Sequence, residues 1–196
     1  QAIANFKGTN NGARFSPDGS RIAMTLSGSG NAELYTSNKN GRELRRLTNN
    51  NSLETSPSWS PDGQSIVYAS DAPGRPQLFV VSATGGARRR LPTNISRYCA
   101  EPDWNPRNSS QITFTAAVNG GFQIALYDAK MQSSKIISNL KGSAVEPTWL
   151  NDGRHIILTE RLDGRTRLMI LDSFSGQVVA LHKTSLGDAC EASFVY

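Results

Sequence analysis

The stretch Trp59-Ser60-Pro61-Asp62-Gly63-Gln64-Ser65-Ile66 carries a signature that the chain repeats. The same order of residue types returns at Phe15-Ser16-Pro17-Asp18-Gly19-Ser20-Arg21-Ile22 and at Trp149-Leu150-Asn151-Asp152-Gly153-Arg154-His155-Ile156. A looser copy, Trp104-Asn105-Pro106-Arg107-Asn108-Ser109-Ser110-Gln111-Ile112, has one extra residue and no Asp-Gly. Phe194 extends the series, so the spacings between successive aromatics are 44, 45, 45 and 45. Pro57, Pro102 and Pro147 each stand two residues ahead of a tryptophan. A fixed period of this length is the mark of a repeat architecture.

Each copy reads as four short strands. The aromatic ends an inner strand, and Pro-Asp-Gly then supplies a tight turn: Pro sets φ, Asp bonds nearby backbone, and Gly accepts positive φ. A second strand follows (Arg21–Leu26, Ser65–Ser70, Gln111–Thr115, His155–Thr159) and then a third (Glu33–Tyr35, Gln77–Val81, Gln123–Tyr127, Arg167–Leu171). Turns at Asn40-Gly41, Gly85-Gly86 and Ser175-Gly176 lead to an outer strand holding Leu47, Leu91, Ile137 and Leu181. Helical periodicity is absent from these windows. Four-stranded units at this period predict an all-β fold, a β-propeller with about four blades. The blades fall at about 12–56, 57–101, 102–146 and 147–190, with a final inner strand at 191–196, all within one propeller segment, 1–196. One small sheet cannot bury both faces alone, so the Trp or Phe is expected to fill the seam against the neighbouring blade.

Composition narrows the class further. The 196 residues include 17 Gly and 9 Pro, and no run approaches the ~18 apolar residues of a transmembrane helix. Gln1-Ala2-Ile3-Ala4-Asn5 has neither a basic nor an apolar leader segment, so no signal peptide is read there. The net charge is +5, with arginines clustered at Arg42, Arg45, Arg46 and at Arg88-Arg89-Arg90. Both clusters occupy the same position of the repeat and read as solvated flanks of one strand type. Without exposed aromatics or a known module they do not predict nucleic-acid binding. Cys99 and Cys190 lie 91 residues apart, with no Cys-x-x-Cys and only His155 and His182 as imidazoles. No metal site and no cofactor are predicted.

The strings Phe15-Ser-Pro-Asp-Gly-Ser-Arg-Ile-Ala23, Ser56-Pro-Ser-Trp-Ser-Pro-Asp-Gly63 and Asp71-Ala-Pro-Gly-Arg-Pro-Gln-Leu-Phe79 resemble the TolB-type β-propeller, and the resemblance spans essentially the whole chain. It implies a non-enzymatic periplasmic scaffold of the Tol–Pal system, in which the propeller binds a peptidoglycan-associated lipoprotein of the cell envelope. That family has a small α/β domain followed by six blades. The chain then looks like its C-terminal part, and Glu191-Ala-Ser-Phe-Val-Tyr196 like the strand that ends it. Four blades of a six-bladed ring expose faces that would pair in a homodimer; closure as a smaller ring is the other option. On this reading Cys99 and Cys190 sit on non-adjacent blades as free thiols.

The residues ahead of the inner strands are the candidate partner-binding loops: Thr9–Gly12, Leu53–Ser56, Tyr98–Glu101 and Ser143–Glu146. Carried over from the family, Asn10, Asn11, Ala13, Thr55 and Ser56 contact the lipoprotein. Thr55-Ser56-Pro57 stands where the family has Thr-Glu-Pro, which removes a carboxylate. Glu101 and Glu146 sit at equivalent places, either bonding neighbouring loop amides or forming an acidic rim for a protein ligand. No Gly-x-Ser-x-Gly elbow is present, and His155 and His182 lie at tolerant strand positions, so no catalytic residue is predicted. The alternative is the regulatory propeller of a serine peptidase of the dipeptidyl/prolyl oligopeptidase type, without its hydrolase domain.

Overall fold

Sixteen β-strands form four separate four-stranded antiparallel sheets in a computed structural model that describes residues 6–181 and 187–192. Strands β1 (Asn10–Phe15), β2 (Arg21–Leu26), β3 (Glu33–Asn38) and β4 (Arg45–Arg46) make the first sheet. The second holds β5 (Glu54–Trp59), β6 (Ser65–Ser70), β7 (Gln77–Ser82) and β8 (Arg89–Arg90). The third holds β9 (Cys99–Trp104), β10 (Gln111–Val118), β11 (Gly121–Asp128) and β12 (Ser133–Ile136). The fourth holds β13 (Ser143–Trp149), β14 (His155–Leu162), β15 (Arg165–Asp172) and β16 (Val178–Ala180). Each is an up-and-down meander in chain order, the blade of a β-propeller. Among the described residues there is no helix, and so none long and apolar enough to cross a membrane.

The recurring turn works as its residues dictate. The Asp18 carboxylate accepts from Ser16 Oγ (2.6 Å) and from Ser20 N (3.1 Å) and Oγ (2.7 Å), and Gly19 turns at φ 68°. Asp62 repeats this with Ser60 Oγ (2.5 Å) and Gln64 N (3.0 Å), with Gly63 at φ 66°. The Ser16 and Ser20 hydroxyls, then the Ser20 amide, hold the Asp18 carboxyl at about 2. In the third copy, without Asp-Gly, Asn108 Oδ1 takes the Asp role by accepting from Ser110 N (3.1 Å) and Oγ (2.8 Å), and the turn is also tied to the next blade. Asn105 is fully buried, accepts from Arg107 N (2.8 Å), and donates its amide to Gly153 O (2.9 Å) in the next blade's turn. Gly153 is therefore crowded: a Cβ there would lie 2.7 Å from Arg107 Cβ and 2.8 Å from Asn105 Oδ1, whereas at Gly19 it would meet nothing within 4 Å. Both have positive φ. Gly153→Ala is expected to cost about 2–3 kcal/mol and Gly19→Ala about 1 kcal/mol, the difference being the clash added to the backbone strain. Equal urea midpoints for the two variants would contradict this.

The chain divides into two units, residues 1–91 and 92–196, each holding two blades. In the first unit Ala23, Leu34 and Leu47 pack against Trp59, Ile66, Tyr68, Phe79 and Val81. The Trp59 indole donates to Arg14 O (3.0 Å), and the Arg21 guanidinium lies 4.7 Å above its ring. The second unit repeats the seam, with Ile124 and Leu126 meeting Trp149, Ile156, Leu158 and Leu171, and the Trp149 indole donating to Asp103 O (3.2 Å). Trp59 and Trp149 thus fill blade seams as the period predicts.

Three sequence expectations are corrected. Phe15 is 55% exposed, because among the described residues no sheet precedes β1 for it to pack on. Trp104 is half-buried, and its indole bonds Ser109 O (2.9 Å) of its own blade. Leu47, Leu91, Ile137 and Leu181 lie just beyond the short outer strands, although their amides continue the ladder to Leu34, Leu78, Ile124 and Leu168. Phe194 and His182 lie outside the described residues.

Candidate functional site

Except for Thr9, Leu53 and Tyr98, the residues expected as loops ahead of the inner strands lie inside those strands: β1, β5, β9 and β13 begin at Asn10, Glu54, Cys99 and Ser143. Pairing with the second strand survives because each inner strand carries a bulge, between Asn11 and Arg14, Thr55 and Ser58, Ala100 and Asp103, and Val145 and Thr148. Each bulge holds one residue at positive φ: Gly12 (63°), Ser56 (53°), Glu101 (52°) and Glu146 (57°). Glu191 (54°) extends the series one repeat further. Outside glycine such a backbone costs about 1–3 kcal/mol and persists only where the surroundings enforce it. Three of the five positions are glutamate, and Pro57, Pro102 and Pro147 follow three of them.

In the second unit these glutamates are tied from blade to blade. Glu101 Oε2 accepts from Thr115 Oγ1 (2.6 Å) and from the Glu146 amide (2.9 Å). Glu146 Oε1 takes the Arg161 guanidinium, and its buried Oε2 has no partner among the described residues. The Glu191 amide donates to Thr159 Oγ1 (3.1 Å), as the Glu146 amide does to Thr115 Oγ1 (3.2 Å). Thr148 Oγ1 donates to Ala192 O (3.3 Å), so Glu191-Ala192 sits against β13 and β14 as a further inner strand would. Glu101 therefore follows the structural option, bonding a neighbouring amide. Glu146 is half-buried and carries one oxygen not consumed by the fold.

In the first unit the bulges carry little charge. Asn10 and Asn11 are exposed; the Asn10 amide donates to Phe6 O (2.8 Å) and Gly8 O (2.9 Å) and so braces the entry to β1. Ala13 is exposed, and Thr55 and Ser56 are half-buried. A Cβ on Gly12 would lie 3.2 Å from Pro57 Cδ and 3.8 Å from Ser56 N, so β1 and β5 bring Asn11, Gly12, Ala13 and Ser56 to one edge. Thr25 Oγ1, at the repeat position of Thr115 and Thr159, is buried there without a partner among the described residues.

One polar cluster escaped the sequence reading. Glu33 and Glu54 are fully buried. Glu33 Oε1 accepts from Arg46 Nη2 (3.0 Å) and Asn50 N (2.6 Å). Glu54 Oε1 accepts from Asn50 Nδ2 (2.8 Å), Arg88 Nη1 (2.8 Å) and Ser70 Oγ (3.2 Å). Burial first, then the nearby Glu33 charge, pushes the Glu54 carboxyl up, against bonds from Asn50 and Ser70 and the Arg88 charge. Burial and the Glu54 charge likewise push the Tyr68 phenol up. The available signal was a break in the repeat: Glu33 stands where other copies have Gln77 and Gln123, and Glu54 where they have Cys99 and Ala144.

Cys99 is buried and Cys190 exposed, and the two form no disulfide with each other. His155 Nδ1 meets Asp152 Oδ2 at 2.6 Å within its own turn, an Asp-turn pairing at a strand start. Among the described residues no group of three His, Cys, Asp or Glu side chains is placed to hold a metal ion.

The profile of the TolB beta propeller domain matches residues 1–194. The chain belongs to the TolB β-propeller family. Its fold is similar to that of TolB from Acinetobacter baumannii, with a TM-score of 0.78 at 24% identity over 97% of this chain and 47% of that one. It is similar also to a TolB-type structure from Agrobacterium tumefaciens, with a TM-score of 0.78 at 22% identity over 88% of this chain and 65% of that one. The chain thus spans roughly half to two thirds of the length of these TolB structures. A puromycin-hydrolyzing peptidase of Mycobacterium tuberculosis shares the fold, with a TM-score of 0.69 at 15% identity over 93% of this chain and 30% of that one.

Proposed function

We propose that the chain is a non-enzymatic, periplasmic protein-binding scaffold that holds a peptidoglycan-associated lipoprotein through the bulged inner strands. The observation that carries this reading is the residue at positive φ repeated in each inner-strand bulge, Gly12, Ser56, Glu101 and Glu146, and again at Glu191. Non-glycine residues held at positive φ cluster at ligand-contacting sites, and Ser56, Glu101 and Glu146 repeat at one such position. Membership of the TolB family supports the choice of partner class. On this reading Asn10, Asn11, Ala13, Thr55 and Ser56 provide neutral hydrogen-bonding contacts, and Glu146 an acidic one through its unbonded Oε2, while Glu101 holds the Glu146 backbone in place. The test is titration calorimetry against the soluble domain of a peptidoglycan-associated lipoprotein. Binding that weakens at least about tenfold in Asn11→Arg and Ser56→Arg, at unchanged thermal stability, is the expected result. No heat of binding, or equal binding by both variants, overturns it.

The fold shared with the mycobacterial peptidase favours a second reading, a propeller that covers the active site of a serine peptidase. Release of product from puromycin by the full-length natural protein would establish that reading in place of the first.

A further inference from the structure

We propose that the outer edge of the first unit, strands β4 and β8 and the turns before them, is a docking surface for an anionic lipid bilayer. The charge is unevenly shared along the chain. Residues 1–91 carry eleven Lys and Arg against six Asp and Glu, and residues 92–196 carry ten against ten, so the whole net charge of +5 belongs to the first unit. Six of those eleven cations are Arg42, Arg45, Arg46, Arg88, Arg89 and Arg90, all exposed and all on or beside the outermost strands.

The two strands present this charge together. A Cβ on Gly85, in the turn ahead of β8, would lie 3.9 Å from Leu47 Cα at the end of β4. The bonds from Arg46 to Glu33, Glu33 to Asn50, Asn50 to Glu54 and Glu54 to Arg88 join the two edges through the interior. Arg46 and Arg88 are held back by those buried carboxylates, and Arg88 also lies 5.2 Å over the Phe79 ring. Arg90 is bonded to Gln77 Oε1 (2.9 Å). The side chains of Arg42, Arg45 and Arg89 have no partner among the described residues and face solvent.

Protection of a sheet edge against self-association also uses Lys and Arg. It does not account for this pattern, since the matching strands of the second unit are Ser133-Ser134-Lys135-Ile136 and Val178-Val179-Ala180. The outer position therefore does not itself require arginine. Leu44 stands 41% exposed beside Arg45, with Glu43, whose carboxylate accepts from Asn38 Nδ2 (3.1 Å), and Arg42 before it. An apolar side chain among basic ones matches the boundary of headgroups and acyl chains, and clusters of this size are attracted to anionic lipid. Nucleic acid fits less well, since residues 40–47 and 85–91 contain no aromatic on which a base would stack.

The test is co-sedimentation with vesicles of mixed phosphatidylglycerol and phosphatidylcholine. The protein is expected to bind these, to ignore phosphatidylcholine alone, and to be released as ionic strength rises through the physiological range. The triple variant Arg42→Gln/Arg45→Gln/Arg89→Gln should lose about a hundredfold in partitioning. The charge-matched control Lys130→Gln/Lys141→Gln/Arg165→Gln, all exposed residues of the second unit, should stay close to the parent. Leu44→Ser should weaken binding severalfold. Absence of binding at low salt overturns the proposal. So does equal loss in the two triple variants, which would make net charge the cause, and so does tighter binding to heparin or duplex DNA than to vesicles.

Discussion

Trp149→Ala is expected to destabilise the second unit by about 3–5 kcal/mol, the cost of removing a large buried aromatic and leaving its cavity. The side chain is fully buried, is surrounded by Ile124, Leu126, Ile156, Leu158 and Leu171, and satisfies its indole N–H on Asp103 O (3.2 Å). Its own amide is bonded to Asp103 Oδ2 (2.8 Å), so the residue joins β13 to β9 through both main chain and side chain. Trp104→Ala should cost only about 1–2 kcal/mol, since that tryptophan is half-buried and bonds within its own blade. Denaturant unfolding of both variants measures the contrast. A Trp149→Ala cost below about 1 kcal/mol would mean that the seam does not hold the two blades together.

Arg88→Met is expected to have the second largest effect, about 2–4 kcal/mol at neutral pH, because it removes the cation from a buried carboxylate. The range sits below the cost for a fully buried pair because Arg88 is 32% exposed in its side chain and Glu54 not at all. The pH dependence has a definite sign. The folded-state pKa of Glu54 is raised, so the folded protein holds this proton more tightly than the unfolded chain. Stability on this account is greatest below the ordinary carboxylate range and falls as pH rises toward the folded value, then levels. Arg88 opposes the rise, so the variant should extend that fall to higher pH and lose more stability at pH 8 than at pH 5. Glu54→Gln keeps an acceptor for Asn50, Ser70 and Arg88 and should remove the pH dependence. Equal costs for Arg88→Met at pH 5 and pH 8 would show that Glu54 does not titrate in this window.

The two effects differ in how readily the chain announces them. Trp149 is legible because a propeller seam imposes its period on the sequence, so that a bulky aromatic returns at a fixed interval. Glu54 is not, because a lone glutamate ahead of a strand reads as solvated. Its burial depends on Glu33, Asn50 and Arg88, which approach from positions 21, 4 and 34 residues away. The candidate site lies between these cases. Glu101 and Glu146 stand out by their equivalent places before Pro102 and Pro147. That they are bulged strand residues at positive φ, one bonding the amide of the other, follows from pairing between strands.

What the amino-acid order settled is local and periodic: four like blades, their Asp-Gly turns, and the tryptophans that close a seam. These follow from turn chemistry and from a hydrophobic pattern that every repeat carries at the same positions. What the tertiary structure decided is which repeats depart from the pattern and how. Phe15 is exposed, Asn105 borrows a carbonyl from the next turn, and Glu33 and Glu54 are buried as ion pairs. The physical reason is that burial and hydrogen-bond satisfaction are properties of neighbours, and here the neighbours come from the adjoining blade.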